Sequence, residues 1–433
     1  MRKNVLIFAL LSMTFMMVLS ACGPAATTAA PATQAPATEA PAVPVLLPTA
    51  TLAPVVPTTP PEPFVFGMLL VGPHTDQGWS QAHYDAGLYV EQKVPNTKML
   101  YLENVYSGSP AYPGLTASQL AEQLVSQGAK LIVFNSDDMK DEALKFANAY
   151  PDIYVIGASD DWTWKDGKNY QASPNQVDIM GRMEYGKMIA GCAAALTTQT
   201  GKIGYLGPLI NDETRRLAAS AYLGAKHCWA NVLKNDPAQL GFKVTWIGFW
   251  FNIPGVTSDP TQVADDFFNS GYDVVISGID TTEALVQAQK AHDAGKAVWA
   301  LAYDYKDNCS VAPDVCLGVP YFNWGPAYVA TINTAIDGTW TEGFQWNGPD
   351  WQDINNPDTS AVGFVMGNGL GSDASAKLDA FIAELAGGLN LWKGPLNLQD
   401  KTVYLKDGET ATDLQIWYLP QLLEGMEGQS IPQ

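Results

Sequence analysis

"GMLLVGPHTDQGWSQAHYDAG" spans residues 67–87, opening on an apolar run and ending in a pattern that predicts a helix. Asp76-Gln77-Gly78-Trp79 stands at the junction. A short apolar run bounded by Gly and Pro reads as a buried strand. A helix a few residues later completes a strand–helix unit. In open parallel sheets, ligands bind outside the carboxyl ends of the strands, which is where this junction falls.

The same unit recurs along the chain. Apolar runs "FVFGMLLVG" (64–72), "LIVFNS" (131–136), "IYVIGAS" (153–159), "KIGYLG" (202–207), "FKVTWIGFW" (242–250), "DVVISGI" (273–279) and "AVWALAY" (297–303) alternate with helical stretches. Examples of the latter are "SQLAEQLVSQG" and "TTEALVQAQKAHDAG". This alternation predicts an α/β fold with parallel sheets covered by helices. The order repeats on either side of residue ~172, so two similar lobes are expected, their strand ends lining one shared cleft.

The chain's two ends differ in character. Arg2 and Lys3 precede "NVLIFALLSMTFMMVL", and Leu19-Ser20-Ala21-Cys22 follows, the pattern of a signal peptide (1–22) whose Cys22 is lipidated. Residues 23–63 are almost all Ala, Pro and Thr, a composition that cannot bury a core. As a coil, such a tether reaches roughly 35 Å. The rest is long enough for two lobes. With 24 basic and 44 acidic residues and no basic run, the chain is a poor partner for nucleic acid and suits neutral or cationic solutes.

With Cys22 assigned to lipid, Cys192, Cys228, Cys309 and Cys316 remain. An even set outside the cytoplasm predicts two disulfides, with three pairings open. Cys309 with Cys316 is favoured because "CSVAPDVC" closes a short loop, leaving Cys192 and Cys228 on two helices that could pack side by side. No metal is expected, since none of the four histidines stands at ligand spacing to the cysteines.

The residues after each strand form the candidate site. They are Asp76, Trp79 and Ser80; Asn135, Ser136 and Asp137; then Asp160, Asp161 and Trp162. Trp250 and Asn252, Asp280 and Thr281, Asp304, and Asn323 with Trp324 follow in the second half. Indoles offer flat faces for stacking on a ring, and carboxylates accept hydrogen bonds from hydroxyls or exocyclic amines. Together they suit a neutral ring-bearing solute. A plainer reading competes, because Asp76, Asp137, Asp280 and Thr281 also stand where helix N-caps belong. Trp162, Trp164, Trp246 and Trp299 could simply fill cores. No phosphate-binding glycine loop, G-x-S-x-G elbow or nucleophile–base pair is present, so no enzyme and no cofactor are expected.

In these motifs the chain resembles the basic membrane protein (BMP) family of lipoproteins, whose purine-nucleoside-binding members feed ABC transporters. Asp76, Trp79 and Gln81 match the family's Asp-x-x-aromatic-Asn-Gln signature, with Ser80 in place of the Asn. "GRMEYGKMIAGCAAALTTQTGKIGYLG" (181–207) and "SGYDVVISGIDTTEALVQAQKAHDAGKAVWALAYD" (270–304) are similar to two later family segments. The likeness runs from about 64 to 345. It implies a type I periplasmic-binding-protein-like fold in which the chain crosses between lobes three times. The lobes implied are 64–172 with 319–355, and 173–318 with 356–433.

By that resemblance Trp79 stacks on a base, Asp76 and Asp160 shape the pocket from the first lobe, and Asp280 and Asp304 from the second. The family's late-strand lysine has no counterpart in "GVPYFNWGP". The implied ligand is therefore a purine-like aromatic solute, nucleoside or base, delivered to an ABC permease. A neutral-sugar receptor of the same fold, or a sensor or adhesin lipoprotein, is the alternative.

Overall fold

The computed structural model describes residues 62–432; the expected leader, Cys22 and all but the last residues of the expected tether lie outside them. The first sheet is built from β1 (Phe64–Leu69), β2 (Thr97–Leu102), β3 (Ala129–Phe134), β4 (Tyr154–Ala158) and β5 (Gln176–Gly181). The second contains β6 (Lys202–Gly207), β7 (Gly241–Trp246), β8 (Val274–Ser277), β9 (Trp299–Leu301) and β10 (Cys316–Phe322). β11 (Gly343–Asn347) returns to the first sheet and β12 (Val362–Met366) to the second. β13 (Leu396–Asn397) and β14 (Val403–Leu405) pair with each other, and β15 (Met426–Glu427) adds to β7.

The strand orders are β2-β1-β3-β4-β5-β11 and β7-β6-β8-β9-β10-β12, the same doubly wound order twice. All pairs are parallel except β10 with β12, and β13 with β14. Central strands such as β3, "AKLIVF", are buried on both faces, as parallel strands covered by helices must be.

On the first lobe lie α1 (Trp79–Lys93), α2 (Ala117–Ser126) and α3 (Lys140–Ala149). On the second lie α4 (Met183–Thr197), α5 (Asp212–His227), α6 (Pro260–Asn269) and α7 (Glu283–Asp293). α8 (Gly325–Ile336) packs beside α1; α9 (Ser372–Ala386) covers α4, and α10 (Asp413–Trp417) lies near α5. α4 and α5 meet along a seam of small residues. A side chain at Gly191 would strike the Ala221 carbonyl at 1.8 Å, and one at Gly224 the Met188 carbonyl at 1.9 Å. Disulfides join Cys192 to Cys228 at this seam, and Cys309 to Cys316.

The lobe limits differ from the sequence-based ones. The chain leaves the first sheet after Gly181, not at 172, because β5 pairs in register with β4 and β11. It leaves the second after Phe322, not 318, because β10 pairs through Phe322 with β12. β5 was hard to see because "QVDIMG" buries Gln176 and Asp178, which break the apolar run. The tail also does more than extend the second lobe: Trp417 and Tyr418 pack into the first-lobe core.

Candidate ligand-binding cleft

The carboxyl ends of the two sheets face each other and nearly touch. A Cβ on Gly78, at the start of α1, would lie 1.7 Å from the carbonyl oxygen of Asp280 in the second lobe. Asn211, which caps α5 through Thr214, also donates across the boundary to Asp137 at 3.4 Å. At one end of the cleft, Tyr106 of the first lobe meets Phe249 and Phe251 of the second, with ring centroids at 5.9 and 5.6 Å.

Between the lobes, Trp79, Ser136, Asp137 and Ser159 face Glu213, Trp250 and Asp280 across a void of about 10 Å³. That is room for about one water molecule, so the lobes must part to admit anything larger. Five of the sequence-derived residues therefore meet here: Trp79, Ser136, Asp137, Trp250 and Asp280. Asp137 also pairs with Lys140 at 2.9 Å. The Trp250 Nε1–H is buried without an acceptor, and Asp280 is tied to the same loop by its N–H to the Trp250 carbonyl at 3.0 Å.

Asp304 sits behind this wall, fully buried, with neither carboxylate oxygen hydrogen-bonded. It holds a φ of +69°, a left-handed conformation that Asp tolerates better than most residues. Lys187 of α4 lies near it, donating to the Ser277 carbonyl at 2.7 Å with its Nζ 3.1 Å from the Tyr303 ring centroid. Burial holds Lys187 down to about 7 and pushes Glu213 up to about 7. The same burial, with carboxyl neighbours, raises Asp280 and Asp304 well above the ordinary range. Three buried acids thus face one buried lysine.

Other sequence-derived residues have structural roles. The Asp76 carboxylate accepts from the N–H groups of Gly78, Ser80 and Gln81 at 2.8–3.0 Å, so its oxygens cap α1 and are not free for a solute. The Ser80 hydroxyl accepts from Gly72 N–H at 2.8 Å. Asp160 is buried inside the first lobe, where Asp178 raises its pKa further, and does not line the void. Trp162 donates to the Lys140 carbonyl at 3.1 Å. Asn323 donates to the carbonyls of Pro357 and Ser360, fastening two lobe crossings together. Trp324 stacks on His83 at 4.3 Å within the first-lobe core. Trp79 is itself part of that core: its Nε1 donates to the Asn135 carbonyl, and only one side of the ring borders the void.

Glu213, Lys187 and Ser159 were missed. Lys187 left a readable signal, a lysine in "MEYGKMIAGCAAALT", a helix apolar on nearly every side. Glu213 left none, since an acid in the first turn of a helix is ordinary.

The buried acids make stability depend on pH. Asp76 and Asp178 are raised to about 6, Glu213 to about 7, and Asp160, Asp280 and Asp304 rise too. Each holds its proton to higher pH folded than unfolded, so stability is lost as pH rises from the ordinary carboxyl range, about 4, through these values. His83, kept neutral by burial, opposes this below its ordinary range; Lys187 adds stability only as pH rises above about 7. The acids outnumber His83, so the melting temperature is expected to be higher at pH 5 than at pH 7. Calorimetry showing an equal or higher value at pH 7 would mean that the acids are hydrated in an open cleft.

Residues 64–235 match the family model "Bmp", described as ABC transporter substrate-binding protein PnrA-like. Over that stretch the chain is similar to the Bmp family. The family so described is one of substrate-binding proteins of ABC transport. The chain is 27% identical over 354 residues to a purine-binding protein of Brucella abortus, covering 81% of this chain and 89% of the relative. A Haloferax volcanii protein named as an ABC transporter glucose-binding protein is 25% identical, covering 63% of this chain and 61% of the relative. A solute-binding protein from Aeropyrum pernix K1 superimposes with a TM-score of 0.58 at 11% identity, over 78% of this chain and 93% of that one. One from Conexibacter woesei gives 0.54 at 16% identity, over 76% and 98%. These two similarities concern the fold, the type I periplasmic binding architecture.

Proposed function

We propose that this protein is a solute-binding protein of the Bmp kind that binds a purine-like nitrogen heterocycle between its lobes and presents it to an ABC permease, tethered outside the cell membrane by lipid on Cys22. The observation that supports the reading is that Trp79 and Trp250, from opposite lobes, line one void together with Asp280. A flat ring entering between parted lobes would take the indoles as walls. Its N–H groups would donate to Asp280, and the buried Trp250 N–H would donate to a ring nitrogen. A site of several acids and one buried lysine favours hydrogen-bond donors over anions. The Brucella relative's description as purine-binding supports the same solute class.

A sugar is the second reading, supported by the Haloferax relative's name and by the way hydroxyls also donate to carboxylates. A thermal-shift panel on the purified protein separates the two, using adenine, adenosine, hypoxanthine, guanosine, cytosine, ribose and glucose. At 100 times its Kd a solute adds about 2.7 kcal/mol, a plainly visible shift. A shift with purines and not with glucose is expected. A shift with glucose alone would replace the purine assignment, and adenine against adenosine would show whether ribose is read.

A further inference from the structure

Residues 416–419 belong to the tail that covers the second lobe, yet their side chains are divided between the two lobe cores. Ile416 and Leu419 are buried in the second-lobe core, while Trp417 and Tyr418 are buried in the first. On the second-lobe side, the Arg215 Nε donates to the Leu419 carbonyl at 2.7 Å, and the Arg216 guanidinium lies 4.0 Å from the Trp417 ring centroid.

On the first-lobe side, Trp417 meets three rings edge-on: Trp164 at 5.6 Å, Phe344 at 5.0 Å and Trp346 at 5.0 Å. Tyr418 goes deeper. Its hydroxyl donates to the Asp161 carboxylate and accepts from the Lys168 N–H at 2.8 Å. Its ring lies nearly parallel to Trp164, and the Lys168 ammonium sits 4.4 Å over it. The hydroxyl thus plugs the loop that follows β4 at the cleft face of the first lobe.

These contacts join two bodies that move relative to each other. The chain crosses between the sheets near residues 182, 323 and 348–361, and rotation about those crossings is how a type I cleft opens. The 161–168 loop belongs to one side of that rotation and the base of the tail to the other. An opening that shifts the 161–168 loop against the base of the tail either breaks the Tyr418 plug or pulls residues 417–418 out of the second lobe. Either event exposes buried rings and leaves hydrogen-bonding groups unpaired, so the contact favours the closed state.

We propose that Trp417 and Tyr418 are positioning residues for solute binding: they form a strap, carried by the second lobe, that fastens the loop after β4 and sets how fast a bound solute leaves. This rests on the closing-cleft role of the protein and not on which solute it takes.

The test measures lobe separation without solute. Spin labels at Lys98→Cys and Lys243→Cys, exposed positions on β2 and β7, report the distance between the sheets. Without substitution in the strap, one short distance is expected. Tyr418→Phe, which keeps the ring and removes the hydroxyl, should add a longer-distance population. Asp161→Ala should do the same from the other side of the contact. Trp417→Ala should make the long distance dominant, and Trp417→Phe should restore much of the short one. With adenine as probe, Tyr418→Phe should speed dissociation about tenfold and leave association within about twofold.

Distances unchanged in Tyr418→Phe and Asp161→Ala would overturn the proposal, and so would a long distance already dominant with the strap intact. If Trp417→Ala does not fold, the two milder variants decide. If adenine does not bind, the distances still decide, and only the purine reading falls.

Discussion

Replacing Gly78 with alanine should weaken solute binding about a hundredfold, ~2.7 kcal/mol, while leaving the protein folded. The added Cβ would lie 1.7 Å from the Asp280 carbonyl oxygen and 2.7 Å from its carbon. Both are backbone atoms and cannot rotate away, so the lobes must stand further apart. Gly78 has a φ of −150°, on the side open to L-residues, and the Asp76 cap does not involve its α-hydrogens. The open form should therefore tolerate alanine, and the closed form should not. A ligand gains affinity through closure only as far as it favours the closed state, so a wedge at the contact removes that gain. Calorimetric titration with the solute found in the panel checks this, with the solute-free melting temperature as control. Affinity within about threefold of the parent would mean that the lobes do not close on the solute at this point.

The largest stability effect is expected deep in the second lobe, at Arg216. Its Nε lies 2.7 Å from Glu184 Oε1, and the two side chains are 1% and 5% exposed. Arg216→Met leaves the buried Glu184 carboxylate without the cation that hydrogen-bonds to it, and it also removes the guanidinium from the face of Trp417. Breaking such a pair from one side costs about 3–5 kcal/mol. A matched change is far milder, because it removes the stranded charge along with its partner. Urea unfolding of Arg216→Met should show the full loss, and Arg216→Met with Glu184→Gln should recover more than half of it. A single-variant loss below about 1 kcal/mol would class the pair with exposed ion pairs and show that water reaches it.

These two sites show why parts of the cleft were legible and parts were not. Asp280 and Trp250 were found because each follows an apolar run that could only be a buried parallel strand, and strand ends line clefts in this architecture. Asp76 occupies the same kind of position and proved to be a cap, its oxygens taken by three backbone N–H groups. Sequence position alone does not separate these outcomes, because a carboxylate three residues before a helix suits both. Trp324 follows the same rule and ends in the core, stacked on His83, since β10 feeds directly into a lobe crossing and turns its next residues away from the void.

The alternation of apolar runs and helices determined two doubly wound lobes, because side-chain periodicity is set by local backbone geometry and is written residue by residue. The spacing of the cysteines narrowed their pairing for the same local reason. Only the tertiary structure decided which carboxyls face the void, that Gly78 touches Asp280, and that Trp417 and Tyr418 reach the first lobe. Each of those depends on the angle between two bodies joined by chain crossings far apart in sequence. That angle comes from the packing of whole lobes, and no single stretch of residues encodes it.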